Sequence, residues 1–163
     1  MKVIAALAAA GLFLMAAPAS ADLVSPEALA AQSDPKATGG VHFTALLHGL
    51  PMDADASFTA QGFPDDAQGR VNVRFEDDSL SFTGDVTCYT QMGNFARFSG
   101  VMDEPTSQGT HFRISVMDTG EPGDGIPPDT ITVIRSSGVS IQDCEMGGPA
   151  NRPVEDGNLQ VHE

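Results

Sequence analysis

The densest run of side chains able to do chemistry is Asp118-Thr119-Gly120-Glu121-Pro122-Gly123-Asp124-Gly125-Ile126-Pro127-Pro128-Asp129. Hard carboxylate oxygens on a Gly-rich loop suit Ca2+, which accepts roughly six to eight of them in flexible geometry. Asp118, Glu121, Asp124 and Asp129 would supply a weak site, without the EF-hand order of alternate acids followed by a distal Glu. The competing reading, which the composition favours, is a solvated hairpin loop whose Gly and Pro set the turn. The four histidines do not add a zinc centre. His42 and His48 share one strand face but stand about 20 Å apart at strand rise, and His111 and His162 read as exposed polar positions. There is no Gly-x-Ser-x-Gly elbow, no His-Glu-x-x-His and no phosphate-cradling glycine loop ahead of a helix. The catalytic alternative is two carboxylates facing each other across a barrel mouth, as in a hydrolase of glycosides, and no catalytic residue is singled out for it. One further feature could touch a partner: Phe95, beside Asn94, falls out of phase with the apolar face. With Tyr89 and Met92 it makes an apolar spot for a ligand, unless it covers the barrel end or packs beneath a loop.

These groups sit on a chain built for export. Lys2, an apolar run from Val3 to Ala17 and Pro18-Ala19-Ser20-Ala21 have the three parts of a secretory signal, residues 1–21, with cleavage after Ala21. The run is shorter than the ~20 residues a membrane-spanning helix needs. Without Lys2, seven Lys and Arg face 22 Asp and Glu, a net charge of −15 on the remaining 142 residues. Nucleic acid and anionic membrane surfaces would be repelled, so the partners left are a protein or a small molecule. No cofactor is called for beyond the possible Ca2+. In the oxidising periplasm or exterior, Cys88 and Cys144 most simply form one disulfide. Such a link is worth about 4 kcal/mol in the chain-entropy picture.

Residues 22–40 read as a tail, with Ser25 and Pro26 able to start a short helix. From Val41 to Glu163 the dominant period is two, the spacing that sends alternate side chains to opposite faces of a strand. Val41, Phe43, Ala45 and Leu47 alternate with polar neighbours, as do Ala56, Phe58 and Ala60, and then Val71, Val73 and Phe75. Leu80, Phe82, Gly84, Val86 and Cys88 are expected on one face with Tyr89 opposite, and Ala96, Phe98, Gly100 and Met102 follow the Gly93-Asn94 turn. Later runs are Phe112 to Val116, Ile131 to Val133, Val139 to Ile141 and Leu159 to Val161. About eight or nine short strands with short connections predict one all-β antiparallel domain, a meander barrel in preference to a β-sandwich. The outward faces are Ser, Thr, Asp, Asn, Arg and Gln, Trp is absent and Tyr occurs once. An outer-membrane barrel, with its apolar band and aromatic girdles, is therefore not expected.

Three stretches together carry a resemblance: Val86-Thr87-Cys88 leading to Gly93-Asn94-Phe95-Ala96-Arg97-Phe98-Ser99-Gly100, Val116-Met117-Asp118-Thr119-Gly120-Glu121-Pro122-Gly123 with Asp129, and Gly157-Asn158-Leu159-Gln160-Val161-His162. In this order they resemble a group of exported bacterial β domains, the post-COAP-1 group, over roughly Gly39 to His162. The resemblance implies an all-β accessory domain and carries no catalytic residues over. The insertion Gly123 to Pro128 departs from the group's pattern. The functional expectation is an exported, noncatalytic binding or accessory domain. The alternatives are a secreted carboxylate-dependent hydrolase and a structural cell-envelope protein. N-terminal sequencing of the exported protein is expected to begin at Asp22, and an intact Met1 or Lys2 would remove the signal reading.

Overall fold

The computed structural model describes residues 34–47, 49–106, 109–121, 125–137, 144 and 147–162. Within them the chain is all-β, with eight strands: β1 (Lys36–Leu47), β2 (Leu50–Gln61), β3 (Gln68–Phe75), β4 (Phe82–Met92), β5 (Phe95–Thr106), β6 (Gly109–Met117), β7 (Thr130–Ser136) and β8 (Arg152–His162). Each pairs antiparallel with the next, and β8 returns to β1 from Lys36↔His162 to Phe43↔Val154, closing the sheet into a barrel. Closure removes the two exposed edges that an open meander would leave. The signal segment, the proposed short helix, His48, Asp124 and the Val139 to Ile141 run lie outside the described residues.

The period-two pattern works as the sequence implies, because the inward half of each pleat is apolar. Ala54, Ala56, Phe58 and Ala60 of β2 are buried while the residues between them are exposed. Opposite them stand Val71 and Val73 of β3, and the interior is filled by Phe43, Tyr89, Phe98, Phe112, Ile114 and Ile131. Phe58 and Phe98 meet at a centroid distance of 5.1 Å, and Phe82 and Phe112 at 5.6 Å. Fully burying a side chain of this size stabilises the fold by about 1.5–3 kcal/mol. Large rings need small neighbours in a narrow barrel. A Cβ on Gly84 would lie 2.7 Å from the Phe112 ring, and one on Gly100 would lie 2.8 Å from it and against the carbonyl of Asp85.

Two boundaries differ from the sequence reading. The barrel begins at Lys36 and not at Val41, because Ala37 packs inside and Gly39 leaves its space to the Phe58 ring. The second difference inverts two residues. In the β4–β5 ladder Val86 pairs with Gly100 and Cys88 with Ser99, so Thr87 is an extra residue in a bulge. One added residue exchanges the faces of everything beyond it. Cys88 therefore turns to the outside, where it bonds Cys144, and Tyr89 turns into the core, fully buried. Tyr89 is thus not part of an exposed contact surface. Its hydroxyl donates to Gln91 Oε1 at 2.5 Å, and burial raises its pKa above the usual phenol value.

These contacts separate two glycines of similar sequence setting. Gly100→Ala is expected to lower stability by about 1–3 kcal/mol through overpacking, whereas Gly40→Ala, with open space where its Cβ would stand, should stay within about 0.5 kcal/mol. Chemical denaturation midpoints measure both, and equal losses would contradict this account of the interior.

Candidate functional site

The β2–β3, β4–β5 and β6–β7 connections lie at one end of the barrel, because an up-and-down meander returns to the same end at every second turn. Gly93 enters the β4–β5 turn with φ 56°, a conformation glycine adopts without steric cost. Asn94 then reaches across to β6 and the loop beyond it. Its Nδ2 donates to the carbonyl of Asp118 at 2.6 Å, and the Asp118 N–H donates back to the carbonyl of Asn94 at 2.9 Å. The Asp118 carboxylate in turn accepts from Gly120 N–H at 2.8 Å and, on its other oxygen, from Val161 N–H of β8 at 2.9 Å. At the far end of the loop, Asp129 Oδ1 accepts from Thr119 N–H at 2.8 Å, while the Thr119 hydroxyl donates to the Pro127 carbonyl at 2.6 Å. The three stretches on which the resemblance rests therefore meet at this end.

Of the four carboxylates considered for Ca2+, Asp118 and Asp129 hold backbone donors, Glu121 is exposed, and Asp124 lies outside the described residues. Among the described residues no three His, Cys, Asp or Glu gather as a metal site. His42 lies on the outer face with its Nδ1 at 3.0 Å from Asp55, a hydrogen bond that raises its pKa, with nearby carboxylates adding to the effect. His111 Nδ1 is 2.8 Å from the hydroxyl of Thr110. Of the apolar contact candidates, Met92 is 74% exposed, while Phe95 is half-buried with the Arg97 guanidinium 5.1 Å from its ring centre. Asn94 is exposed but committed to Asp118.

Sequence reasoning missed the outer side of β5. Residues Ala96 to Gly100 are buried on both faces, because Cys144, Gly147 and Gly148 lie against the outside of β5 and β6. The link between Cys88 and Cys144 pins Cys144 there. Arg97 lies beneath, 7% exposed, donating to the carbonyls of Cys144, Gly147 and Gly148 at 3.1–3.3 Å and to Ser115 Oγ at 3.2 Å. A signal existed: the small outward residues Ser99 and Ser115 leave room, and a disulfide from Cys144 must bring its segment back to β4.

Beyond the loop, β7 stops short of β8. The two pair only at Thr130↔Pro153 and Ile131↔Arg152, with the Val154 N–H donating to the Asp129 carbonyl just beyond. Between the later part of β8 and the 118–129 loop runs an open groove of ≈ 540 Å³. Ile126, Pro127 and Pro128 form one wall and Gly157 to Gln160 the other. No protein-family model, curated protein or solved structure matches this chain.

Asp118→Ala removes the acceptor of two amides and is expected to cost about 1–3 kcal/mol. The loss should be equal in EDTA and in millimolar Ca2+. A loss seen only with Ca2+ present would return the loop to the metal reading.

Proposed function

We propose that this chain is an exported, noncatalytic binding or accessory domain that acts through the loop end of its barrel, and that it belongs with the post-COAP-1 group it resembles. The observation that carries this reading is the filled interior. Tyr89, Phe43, Phe98, Phe112, Ile114 and Ile131 are all fully buried, so among the described residues the barrel interior is occupied by apolar side chains rather than by groups aimed at a substrate. Catalysis by paired carboxylates needs two acids across a cleft from which water can be excluded. On the outer face Arg70 holds both Asp85 and Asp103, so that pair is bound to a cation. The Cys88–Cys144 disulfide fits a periplasmic or extracellular setting. The surface charge favours a neutral or basic partner over nucleic acid.

Purified protein is expected to leave chromogenic glycoside, ester and peptide substrates unchanged from about pH 4 to 9, the range in which carboxylate and imidazole catalysts operate. Turnover that disappears when a single Asp or Glu is replaced would establish the hydrolase alternative instead.

A further inference from the structure

We propose that Asp156-Gly157 is a self-modification site at the seam that closes the barrel, where the folded chain converts its own aspartate to isoaspartate through a cyclic imide. No partner is needed, because the two reacting groups belong to adjacent residues.

Ring closure needs a carboxyl carbon, the amide nitrogen of the next residue and room around both. Asp156 and Gly157 are exposed, and the Gly157 N–H donates to Asp156 Oδ1 at 2.8 Å. That bond keeps the carboxyl carbon, one bond from Oδ1, beside the nitrogen that attacks it. Near-attack arrangements hold the reacting atoms about 3–3.5 Å apart. The nitrogen is also uncommitted to the β1–β8 ladder. Alternate residues of an antiparallel strand turn their N–H to opposite sides, and the Val161 N–H faces away from β1 to reach Asp118 Oδ2. Gly157 shares the parity of Val161, so its reaction breaks no bond to β1. The backbone is irregular at the same point. The register steps from His42↔Asp156 to Phe43↔Val154, which leaves Glu155 as an extra residue in a bulge. Gly157 itself has φ 105°, outside the range of a strand, and brings no side chain to hinder attack.

The Gly157 nitrogen adds to the carboxyl carbon of Asp156 in its acid form. A new C–N bond forms, the C–OH bond breaks, and the amide proton leaves with the hydroxyl as water. Water then opens the imide at either carbonyl. Opening at the side-chain carbonyl restores Asp156. Opening at the main-chain carbonyl breaks its bond to the Gly157 nitrogen, so that the chain runs through the former side chain and a free carboxylate is left behind. One water is released and one consumed, with no oxidant or reductant. The isoaspartyl product lengthens the main chain by one methylene between the residues that pair with His42 and Val41. Residues Asn158 to His162 then lose either their register with β1 or the inward placement of Leu159, which is 2% exposed.

Purified protein held for weeks in mildly acid buffer at body temperature tests this, read by peptide mapping with mass spectrometry and by an isoaspartate-specific carboxyl methyltransferase. The imide appears as an Asp156 peptide lighter by one water. An acetylated, amidated peptide of residues 153–160 gives the rate of the same pair without the fold. In the folded protein, isoaspartate is expected at this position at a rate within about tenfold of the peptide's, or faster. The isolated modified protein should have its unfolding equilibrium shifted about tenfold or more towards the unfolded chain. Gly157→Ala is a poor control, because its Cβ would collide with the Gly40 carbonyl. Asp156→Glu keeps the charge but must close a larger ring, so it should slow modification at least about tenfold and remove the time-dependent loss of stability. Formation more than about tenfold slower than in the peptide overturns the proposal. So does isoaspartate confined to Asp124-Gly125, the other Asp-Gly pair of the chain, or an Asp156→Glu protein that ages as the parent does. Modified protein as stable as fresh protein overturns the link to barrel closure.

Discussion

The return of β8 to β1 is the constraint on which the rest of the molecule depends. An open meander has two edges of unpaired amides and carbonyls and an apolar face with nothing to cover it. Once Lys36 stands opposite His162, the apolar face surrounds itself, and its contents are set by volume. Rings from Phe58 and Phe112 can enter because Gly39, Gly84 and Gly100 give up their side chains to them. The cost of closing the ring falls on the shortest strand. β7 spans Thr130–Ser136, and side-chain carboxylates and the Asp129 carbonyl take over donors that a longer neighbour would have received.

A single extra residue governs the other side. The bulge at Thr87 turns Cys88 outward, and an outward Cys88 can reach a segment lying on the outside of the sheet. That segment buries Arg97, whose five N–H donors are a poor match for an apolar cover and a good match for a row of carbonyls. Cys144, Gly147 and Gly148 provide that row. The disulfide and the guanidinium therefore both hold Cys144 against the outside of the sheet. One closes a covalent loop in the unfolded chain, and the other gives partners to the carbonyls of Cys144, Gly147 and Gly148.

The candidate site illustrates how residue type and residue role come apart. The acidic loop stood out in the sequence because its donor atoms are those a cation would want. Asp118 and Asp129 belong to it, yet their oxygens face amides from Gly120, Val161 and Thr119. Val161 lies on a strand far along the chain, so no local pattern could couple it to Asp118. Phe95 was legible as an out-of-phase residue, and its partner Arg97 two positions on was not, because the apolar rule offers no reason to bury an arginine.

Alternation of apolar and polar residues, interrupted by Gly, Pro, Asn and Asp, was enough to determine an all-β antiparallel meander and most of its inward residues. That information is local: each strand carries its own period. The pairing of the two cysteines was likewise legible from their number. Tertiary structure alone decided which face Cys88 and Tyr89 occupy, since a bulge inserts a residue without any mark in the pattern of apolar types. It also decided that Asp118 and Asp129 cap backbone donors and that β8 pairs with β7 at Thr130↔Pro153 and Ile131↔Arg152 alone among the described residues. Those outcomes depend on where strands distant in sequence end relative to one another, and a one-dimensional period contains no measure of that distance.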